Sequence, residues 1–264
     1  MREGKRKMLT IVISIAAVIA LATLAVGGYY LLAPKTDPLY VAHQGYRSEY
    51  LGNTKSAFLA ATEKAFYGIE TDVRKTKDGY YVCNHDVTVK YADGTELAVA
   101  KNDRSALTAK PLLNDKKQEA EYLCTFEDYL DICKEGGKVA VIELKVDFGT
   151  DEIREIIAIV DEHYARTQVS FISFYYDTLL RIKAEDPTCF LQYLSETKND
   201  PTFDRCLEDG ISLDVKQSIL SKKLVKKCNA RGLAVNVWTV NKSSDLSAAR
   251  RAGVSFVTTD VFDK

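Results

Sequence analysis

The stretch GIETDVRKTKDGYYVCNHD, residues 68–86, reads as a buried strand followed by a tight hairpin. Two acids, Glu70 and Asp72, alternate with apolar residues in its first half. Asp78-Gly79 is a strong turn signal, and the returning segment ends on His85. Buried carboxylates are costly unless a cation or a proton meets them. The stretch therefore predicts a strand whose acids need a metal ion, a proton or a cationic partner.

Further along the chain, short β-rich segments alternate with helical ones, a pattern typical of a parallel sheet with crossover helices. The predicted strands cover residues 39–43, 67–73, 138–145, 169–174, 189–194, 211–215, 233–240 and 254–260. Predicted helices include residues 53–66, closed by Gly68, residues 151–165, and residues 243–253, which open with Ser and close with Gly. An open doubly wound sheet would offer a glycine-rich phosphate loop after its first strand, and AHQGYRSEYLGNT contains none. The pattern therefore predicts an α/β fold, a (β/α)₈ TIM barrel, over residues 39–264.

Residues 86–125 break this alternation, because a polar insertion stands where a helix is due. Long loops of this kind are usually functional or loosely ordered. In a (β/α)₈ barrel the loops that leave the carboxyl ends of the strands build the active site. We therefore expect the insertion to serve as a lid or as a wall of the site.

The N-terminus predicts a membrane anchor. Residues 8–33 contain no charged side chain, and four basic residues precede them. About 20 apolar residues cross a bilayer, and basic flanking residues stay in the cytoplasm. We therefore expect an anchor within residues 1–33, a linker at residues 34–38, and a single-pass cell-membrane protein with its folded body outside the cytoplasm. The alternative is a cleaved signal peptide and a secreted protein, but this run is longer than the about 7 to 15 apolar residues of such signals.

Composition excludes several classes of protein. Hydrophobic residues make up 46% of the chain and charged residues 28%, which is typical of a globular protein and not of a disordered one. The formal net charge is -1, and no basic stripe follows the first seven residues, so nucleic acid is not an expected partner. The six cysteines form no CxxC pair, which disfavours a zinc site. We expect most of them to be unpaired core thiols, although an outside location permits disulfides.

Acids are predicted to meet at one end of the barrel. Glu70 and Asp72 share a face of their strand because residues i and i+2 point the same way. By the same alternation, Glu143 and Lys145 share a face at the end of the 138–145 strand. A single acid at a strand end is usually a surface residue, but three that each follow an apolar strand favour a site. Carboxylate oxygens suit calcium or magnesium, at about 2.0 to 2.6 Å, whereas zinc prefers His or Cys.

Two histidines are expected beside these acids. His43 ends the first predicted strand, and His85 ends the hairpin. Phosphodiester cleavage needs a base for the attacking oxygen and an acid for the leaving alkoxide, and histidine performs both near neutral pH. His163 lies in a charged helix end and is expected to be structural.

Seven segments, in this order and at similar spacing, resemble the glycerophosphodiester phosphodiesterase family. They are AHQGY, NTKSAF, GIETDV, TKDGYYVCNHD, IELK, VNVWTVN and GVSFVTTD, and the resemblance runs from about residue 40 to 263. It implies a TIM barrel, one divalent cation, calcium or magnesium, and hydrolysis of a glycerophosphodiester to glycerol 3-phosphate and an alcohol. By position it makes His43 and His85 the acid–base pair. The metal ligands that it implies are Glu70, Asp72 and Glu143.

The resemblance also implies substrate contacts, with one departure from the family pattern. Lys145 would contact the phosphate oxygens, and Trp238 would form an apolar wall for the glycerol or the leaving group, unless it is a core residue. Gln44 stands where the family usually has Arg, so a neutral amide replaces a bidentate cation. That change should weaken phosphate binding by about 1.5 to 3 kcal/mol. Arg47 and Arg74 are the candidates to replace the missing charge.

A second departure is Leu51-Gly52, where the family usually reads Pro-Glu. The change removes one carboxylate near the expected site. Asn53 and Thr54 follow, and are expected to form the N-cap of the next helix.

Two other functions compete with glycerophosphodiester hydrolysis. A phospholipase D-like or sphingomyelinase D-like lipid phosphodiesterase would share the barrel and the two histidines, and would use the 86–125 insertion as an acyl-chain groove. A retired, non-catalytic binding module would explain the loss of the family Arg. Both histidines and all three acids remain in the sequence, which favours an enzyme.

Overall fold

The computed structural model describes residues 37–116 and 120–261, which contain a closed parallel β-barrel. The strands in chain order are β1 (Leu39–Ala42), β2 (Gly68–Lys75), β3 (Tyr81–Cys83), β4 (Thr88–Lys90), β5 (Glu96–Ala98), β6 (Val139–Leu144), β7 (Val169–Ser173), β8 (Phe190–Ser195), β9 (Ser212–Lys216), β10 (Val235–Trp238) and β11 (Phe256–Thr259). The barrel follows the order β1, β2, β6, β7, β8, β9, β10, β11, and the pairing of β11 with β1 closes it. Each predicted strand overlaps one of these barrel strands, so the predicted fold is confirmed.

Helices on the outside of the barrel connect most successive strands. Within the described residues they are α1 (Lys55–Thr62), α2 (Arg104–Thr108), α3 (Phe126–Glu135), α4 (Thr150–His163), α5 (Tyr176–Glu185), α6 (Thr202–Glu208), α7 (Lys222–Asn229) and α8 (Ser243–Ala252). The predicted end of α8 is confirmed, because Gly253 adopts φ 79° and its N–H donates to carbonyl oxygens of the last turn.

The predicted role of Gly68 as a helix stop is wrong. Helix α1 already ends at Thr62, and Gly68 is the first residue of β2. A side chain here would collide with the neighbouring strand, since a Cβ on Gly68 would lie 2.8 Å from the carbonyl oxygen of Val139. Close packing of β2 against β6 therefore accounts for this glycine.

Side chains alternate along each strand between the outside and the inside of the barrel, and this alternation gives two separate apolar layers. Residues such as Ile69 and Val73 face outward and pack in the large cluster between the strands and the helices. Inside the barrel, a smaller cluster contains Val41, Val141, Ile172 and Leu194. Glu70 and Asp72 have the opposite parity to Ile69 and Val73, so they point into the barrel.

The described residues of the insertion, 86–116 and 120–125, are folded and have an apolar core of their own. Its hairpin of β4 and β5 is followed by a 3₁₀ turn and by α2. Buried residues hold these pieces together: Val82, Val89, Tyr91, Val99, Leu107, Leu112 and Leu123. The insertion ends at Thr125, which is the N-cap of α3. Apolar residues scattered through a polar segment therefore build a compact module at the side of the barrel.

Each of the six cysteines, all within the described residues, is a free thiol. Five of them are buried, and Cys189 is partly buried. They pack as small apolar side chains in or against the large outer cluster.

Residues 37–116 and 120–261 include no helix that is both long enough and apolar enough to span a bilayer. The predicted anchor at residues 8–33 and most of the predicted linker lie outside the described residues.

Candidate active site

Three buried carboxylates, Glu70, Asp72 and Glu143, form an acidic cluster at the carboxyl ends of β2 and β6. The two strands pair in parallel with Asp72 opposite Glu143, and Glu70 lies one inward-facing position below. The three side chains each offer a ligand atom, and these atoms lie within 4.8 Å of one another. The sequence therefore predicted correctly that these acids meet.

The acids of this cluster titrate differently. Burial, together with the charges of Asp72 and Glu143, raises the pKa of Glu70 well above its usual value. Burial and the charge of Asp72 likewise raise the pKa of Glu143 to about 7. Burial alone would raise the pKa of Asp72 too, but Lys145, His85 and Asn53 outweigh it and hold this pKa below its usual value. The cluster therefore concentrates more negative charge than its protein surroundings neutralise.

Lys145 is the cation that touches the cluster. Its Nζ lies 3.2 Å from Oδ1 of Asp72 and 2.7 Å from Oε1 of Glu143. Burial alone would lower the pKa of Lys145, but the two carboxylates outweigh it and raise this pKa. Lys145 is therefore a permanent positive charge at the edge of the acidic cluster.

The side-chain amide of Gln44 and its backbone N–H are all hydrogen-bonded to protein groups. It is buried in the left-handed backbone region, at φ 54°. Its backbone N–H donates to Glu70 at 2.9 Å, and its Nε2 donates to Oδ2 of Asp72 at 2.7 Å. Its Oε1 accepts a 2.8 Å hydrogen bond from Arg47. Gln44, predicted as a substrate-binding residue, therefore positions the acids and Arg47 in this structure.

The second departure from the family pattern lies next to Gln44 in space. A Cβ on Gly52 would lie 2.8 Å from Oε1 of Gln44. Any larger residue at position 52 would therefore displace the amide that holds Arg47. The two departures form one local arrangement, in which Arg47 reaches the site from three residues further along the chain.

Asn53 is a site residue that the sequence assigned to a different task. Thr54 alone caps α1, since its Oγ1 accepts from the backbone N–H of Ala57. Asn53 adopts φ 60°, and its Nδ2 donates to Oδ2 of Asp72 at 2.8 Å. Its Oδ1 accepts from the hydroxyl of Thr71. The expectation that Asn53 shares the N-cap is therefore wrong, because its side chain turns toward the acidic cluster.

His43 follows β1 and is fixed by a residue from the far end of the chain. Its Nδ1 lies 2.7 Å from Oδ1 of Asp260, and its backbone N–H donates to the carbonyl oxygen of Thr259. Asp260 in turn accepts from Nδ2 of Asn241 at 2.6 Å. Burial would raise the pKa of Asp260, but His43, Arg47 and Asn241 outweigh it and lower this pKa. A charged carboxylate therefore orients the imidazole of His43.

His85 lies where the predicted hairpin returns to the barrel. Strand β3 pairs antiparallel with β2, and Gly79 takes φ 88° in the turn between them. Arg74 donates to the carbonyl oxygens of Asn84 and His85, which fixes this end of the hairpin. Nδ1 of His85 lies 2.9 Å from Oδ1 of Asp86. Arg74 is therefore committed to the backbone of the hairpin.

His43 and His85 line one open pocket of about 420 Å³, here called the histidine pocket. Its lining residues are His43, Gln44, Arg47, Leu51, Gly52, Asn53, Asn84, His85, Asp86, Thr88, Val89, Lys90, Leu112 and Leu113. The insertion supplies one wall of this pocket. The pocket thus joins both predicted proton carriers, and Gln44 and Asn53 connect it to the acidic cluster.

Trp238 lies at the same end of the barrel but does not line the histidine pocket. Its ring is partly buried and meets Phe174 edge to face, with centroids 5.8 Å apart. Its Nε1 donates to the carbonyl oxygen of Asp214 at 3.3 Å, and its peptide bond to Thr239 is cis. The ring therefore lies at the carboxyl end of β10, apart from the residues that line the histidine pocket.

Asp214 is a further acid that the sequence did not single out. It is buried inside the barrel, where Nδ2 of Asn236 donates to its Oδ2 at 3.1 Å. Burial raises its pKa well above the usual value. His163, in contrast, is remote from the site and pairs with Asp131, as its structural assignment predicted.

Residues 43–264 match the model of the Glycerophosphoryl diester phosphodiesterase family. The chain belongs to this family. The match starts at His43, directly after β1, and takes in the acidic cluster, His85 and the other seven barrel strands. Membership in the glycerophosphoryl diester phosphodiesterase family confirms the resemblance and the predicted enzyme class, a phosphodiester hydrolase that acts on glycerophosphodiesters.

Named relatives agree with this membership. A glycerophosphodiester phosphodiesterase of Caldanaerobacter subterraneus is 27% identical over 231 residues, which cover 84% of this chain and 93% of the relative. Among solved structures, a phosphodiesterase of Oleispira antarctica, in complex with the product sn-glycerol-3-phosphate, is 21% identical with a TM-score of 0.76. The matched region covers 84% of this chain and 93% of the Oleispira antarctica chain. A glycerophosphodiester phosphodiesterase of Parabacteroides distasonis is 26% identical with a TM-score of 0.73, covering 86% and 94% of the two chains.

Proposed function

We propose that this protein hydrolyses glycerophosphodiesters to glycerol 3-phosphate and an alcohol, with one divalent cation and with His43 and His85 as the acid–base pair. The observation that carries the proposal is that both histidines line one pocket beside the acidic cluster. The product assignment is supported by the Oleispira antarctica relative, whose structure contains sn-glycerol-3-phosphate.

The acidic cluster fits a hard divalent cation. Three carboxylates with ligand atoms within 4.8 Å of one another provide the oxygen donors that calcium and magnesium prefer. Among the described residues, Oε1 of Glu143 has no well-aligned hydrogen bond, although Lys145 lies close to it. We therefore propose Glu70, Asp72 and Glu143 as the ligands of calcium or magnesium. A cation bound there would neutralise and polarise the phosphate.

The hydrogen bonds of the two histidines define which ring nitrogen moves a proton. Nδ1 of His43 is engaged by Asp260, and Nδ1 of His85 by Asp86, so Nε2 is the working atom in each ring. One Nε2 accepts the proton of the attacking oxygen as the new P–O bond forms. The other donates a proton to the leaving alkoxide as the old P–O bond breaks. The two rings thus exchange protonation states in one turnover.

We propose that two cations bind the phosphate oxygens. Lys145 carries its charge at the edge of the acidic cluster. Arg47 lines the histidine pocket and is held by Oε1 of Gln44, with Asp260 3.7 Å from its Nε. We propose that Arg47 supplies the guanidinium that the family pattern usually places at position 44.

Substitution of the histidines tests this proposal. We expect His43→Ala and His85→Ala each to lower kcat on glycerophosphoglycerol by about 10² to 10⁴-fold, because each removes one proton transfer. His163→Ala, on the outside of the barrel, is the matched control and should keep wild-type activity. The measurement is steady-state turnover by the full-length protein with calcium or magnesium.

Three outcomes would contradict the proposal. Full activity of the His43→Ala variant would exclude the acid–base pair. Preferred turnover of lysophosphatidylcholine over glycerophosphocholine would indicate a lipid phosphodiesterase. Absence of both turnover and metal binding would indicate a binding module.

The attacking oxygen is either water or a neighbouring hydroxyl of the substrate. Attack by the hydroxyl would first give a cyclic phosphate, which water then opens. Phosphorus NMR of the earliest product distinguishes the two routes. A cyclic species would exclude direct attack by water as the sole path.

We also propose that residues 8–33 anchor the protein in the cell membrane with the barrel outside. The support is the charge-free run and the basic residues before it. An epitope tag at the C-terminus should be labelled by antibody on intact cells and should sediment with membranes. A labelled tag in the culture medium would instead indicate cleavage and secretion.

A further inference from the structure

The histidine pocket extends away from the acidic cluster. None of the three acids lines it, and neither Lys145 nor Trp238 does so. A phosphate held between the cation site and the histidines would therefore have the histidine pocket on one side. Trp238 and Phe174 pack against each other at the carboxyl end of the barrel and do not line this pocket.

The far wall of this pocket is rigid, because it is part of the core of the insertion. Val89 and Leu112 are buried members of that core and also line the pocket. The backbone N–H of Leu113 donates to the carbonyl oxygen of Lys90 at 2.8 Å, which ties the two wall segments together. A ligand in this pocket would meet a preformed surface, as small-molecule sites usually offer.

The charges on the pocket wall favour an anion. Lys90 is exposed and lines the pocket, yet its Nζ has no ion pair or hydrogen bond within the described part of the chain. Arg47 contributes a second positive charge, which contacts the neutral Gln44 and lies 3.7 Å from Asp260, an acid that does not line the pocket. Asp86 is the acid on the wall, and it is already bonded to His85. The wall therefore has positive charge to spare.

The same wall lacks the features that bind a quaternary ammonium group. Choline is usually recognised by the faces of aromatic rings. The pocket residues that the structure describes include no Phe, Tyr or Trp. An alcohol with a positive headgroup would thus meet Lys90 and Arg47 without compensating ring contacts.

We infer that the histidine pocket binds the leaving alcohol, and that Lys90 selects alcohols that carry a phosphate or another anionic group. This inference rests on the proposed function, because it assigns one half of the same substrate. The glycerol 3-phosphate half then lies between the acidic cluster and Trp238. The preferred substrates are glycerophosphodiesters of an anionic alcohol, such as a short glycerol-phosphate oligomer.

Three substrates test this inference on the full-length protein. They are glycerophosphocholine, glycerophosphoglycerol, and glycerophosphoglycerol with a terminal phosphate, in which the alcohol is cationic, neutral and anionic respectively. We expect kcat/KM to be highest for the anionic alcohol and lowest for choline. Lys90→Glu should lower kcat/KM for the anionic alcohol by about fivefold or more and leave the neutral one within twofold, and added salt should reduce the difference.

Two further variants control for charge and folding. Lys90→Gln removes the cation without placing a second acid opposite Glu96, the cross-strand neighbour of Lys90. This variant should lose less kcat/KM for the anionic alcohol than Lys90→Glu does. Lys101→Glu makes the same charge change on the insertion, at a residue that does not line the pocket, and should leave the substrate order unchanged.

The outcomes separate this inference from the proposed function. Hydrolysis of all three substrates with no preference for the anionic alcohol, and no effect of Lys90→Glu, would overturn the inference and leave the proposed function intact. Equal effects of Lys90→Glu and Lys101→Glu would also overturn it, since the charge would then act at long range. No hydrolysis of any of the three with calcium or magnesium would overturn both.

Discussion

At the scale of single residues, His43 takes its orientation from a side chain 217 positions away in the sequence. Asp260 stands at the end of β11, and the closure of the barrel brings β11 beside β1. Asn241 and Arg47 hold the carboxylate in turn. The proton chemistry proposed for His43 therefore depends on the closed barrel as well as on the histidine itself.

Asp260→Asn should lower kcat by about 10² to 10⁴-fold and change KM little. The amide can donate to Nδ1 of His43, which would favour the wrong tautomer and remove the charge that stabilises the protonated ring. The measurement is kcat and KM on glycerophosphoglycerol together with the pH profile of kcat. A rise in KM with unchanged kcat would contradict this role for Asp260.

Asp214 predicts a pH effect on stability. Its pKa is raised by burial in the native barrel, so the native state keeps a proton that the unfolded chain releases above about pH 4. The stability that this group contributes is therefore present at low pH and is lost as pH rises toward the native pKa. Asp214→Asn keeps the shape without the ionisation, so its stability relative to wild type should improve between pH 4.5 and pH 8.

Urea unfolding of both proteins at the two pH values measures this effect. Asp177→Asn, the same change on the exposed side of α5, serves as the control for replacing an Asp with an Asn. If the difference in the free energy of unfolding between wild type and Asp214→Asn stays constant from pH 4.5 to pH 8, that result would contradict a buried, protonated Asp214.

At the scale of elements, the sequence correctly predicted the features that depend on local periodicity, namely the inward faces of the strands and the position of the hairpin turn. Strand alternation placed Glu70, Asp72 and Glu143 on inward faces, and parallel pairing then brought them together. The turn signal at Asp78-Gly79 correctly positioned the hairpin that carries His85. These features follow from spacing along one or two elements, and spacing is visible in a single chain.

The sequence could not predict contacts that are decided by packing between distant elements. Asn53 looks like an N-cap residue because it precedes a helix, and only the tertiary position of β2 shows that its amide meets Asp72. Gly68 looks like a helix stop, and only the approach of β6 shows why a side chain is excluded. Asp260 carries no local signal that links it to His43.

Two adjacent substitutions separate helix capping from the site. Thr54→Ala should lower the free energy of unfolding by about 1 kcal/mol, because α1 loses its cap, and should leave calcium affinity unchanged. Asn53→Ala should weaken calcium binding by about 10-fold or more, since Asp72 loses a hydrogen bond that orients it. Denaturant unfolding and calorimetric calcium titration measure the two effects. Equal loss of calcium affinity in both variants would contradict the division of roles between these residues.

At the scale of the whole molecule, the barrel and the insertion divide the proposed task. The barrel strands hold the acidic cluster and His43, and the hairpin after β2 adds His85. The insertion adds a wall that includes Lys90, and the apolar core of the insertion fixes this wall at the side of the barrel. The proposed chemistry thus takes place at the carboxyl end of the barrel, and the inserted module provides the proposed selection of the alcohol.

The central claim is that a divalent cation in the acidic cluster and the two histidines act together as one active site with separate tasks. The most direct test is calorimetric titration of calcium or magnesium, with turnover measured on the same samples. The proteins to compare are the wild type, the His43→Ala/His85→Ala double variant and the Asp72→Asn variant. We predict wild-type metal affinity without turnover for the double histidine variant, and loss of both for Asp72→Asn. Full turnover by metal-stripped wild-type protein, or unchanged turnover by the double variant, would contradict the claim.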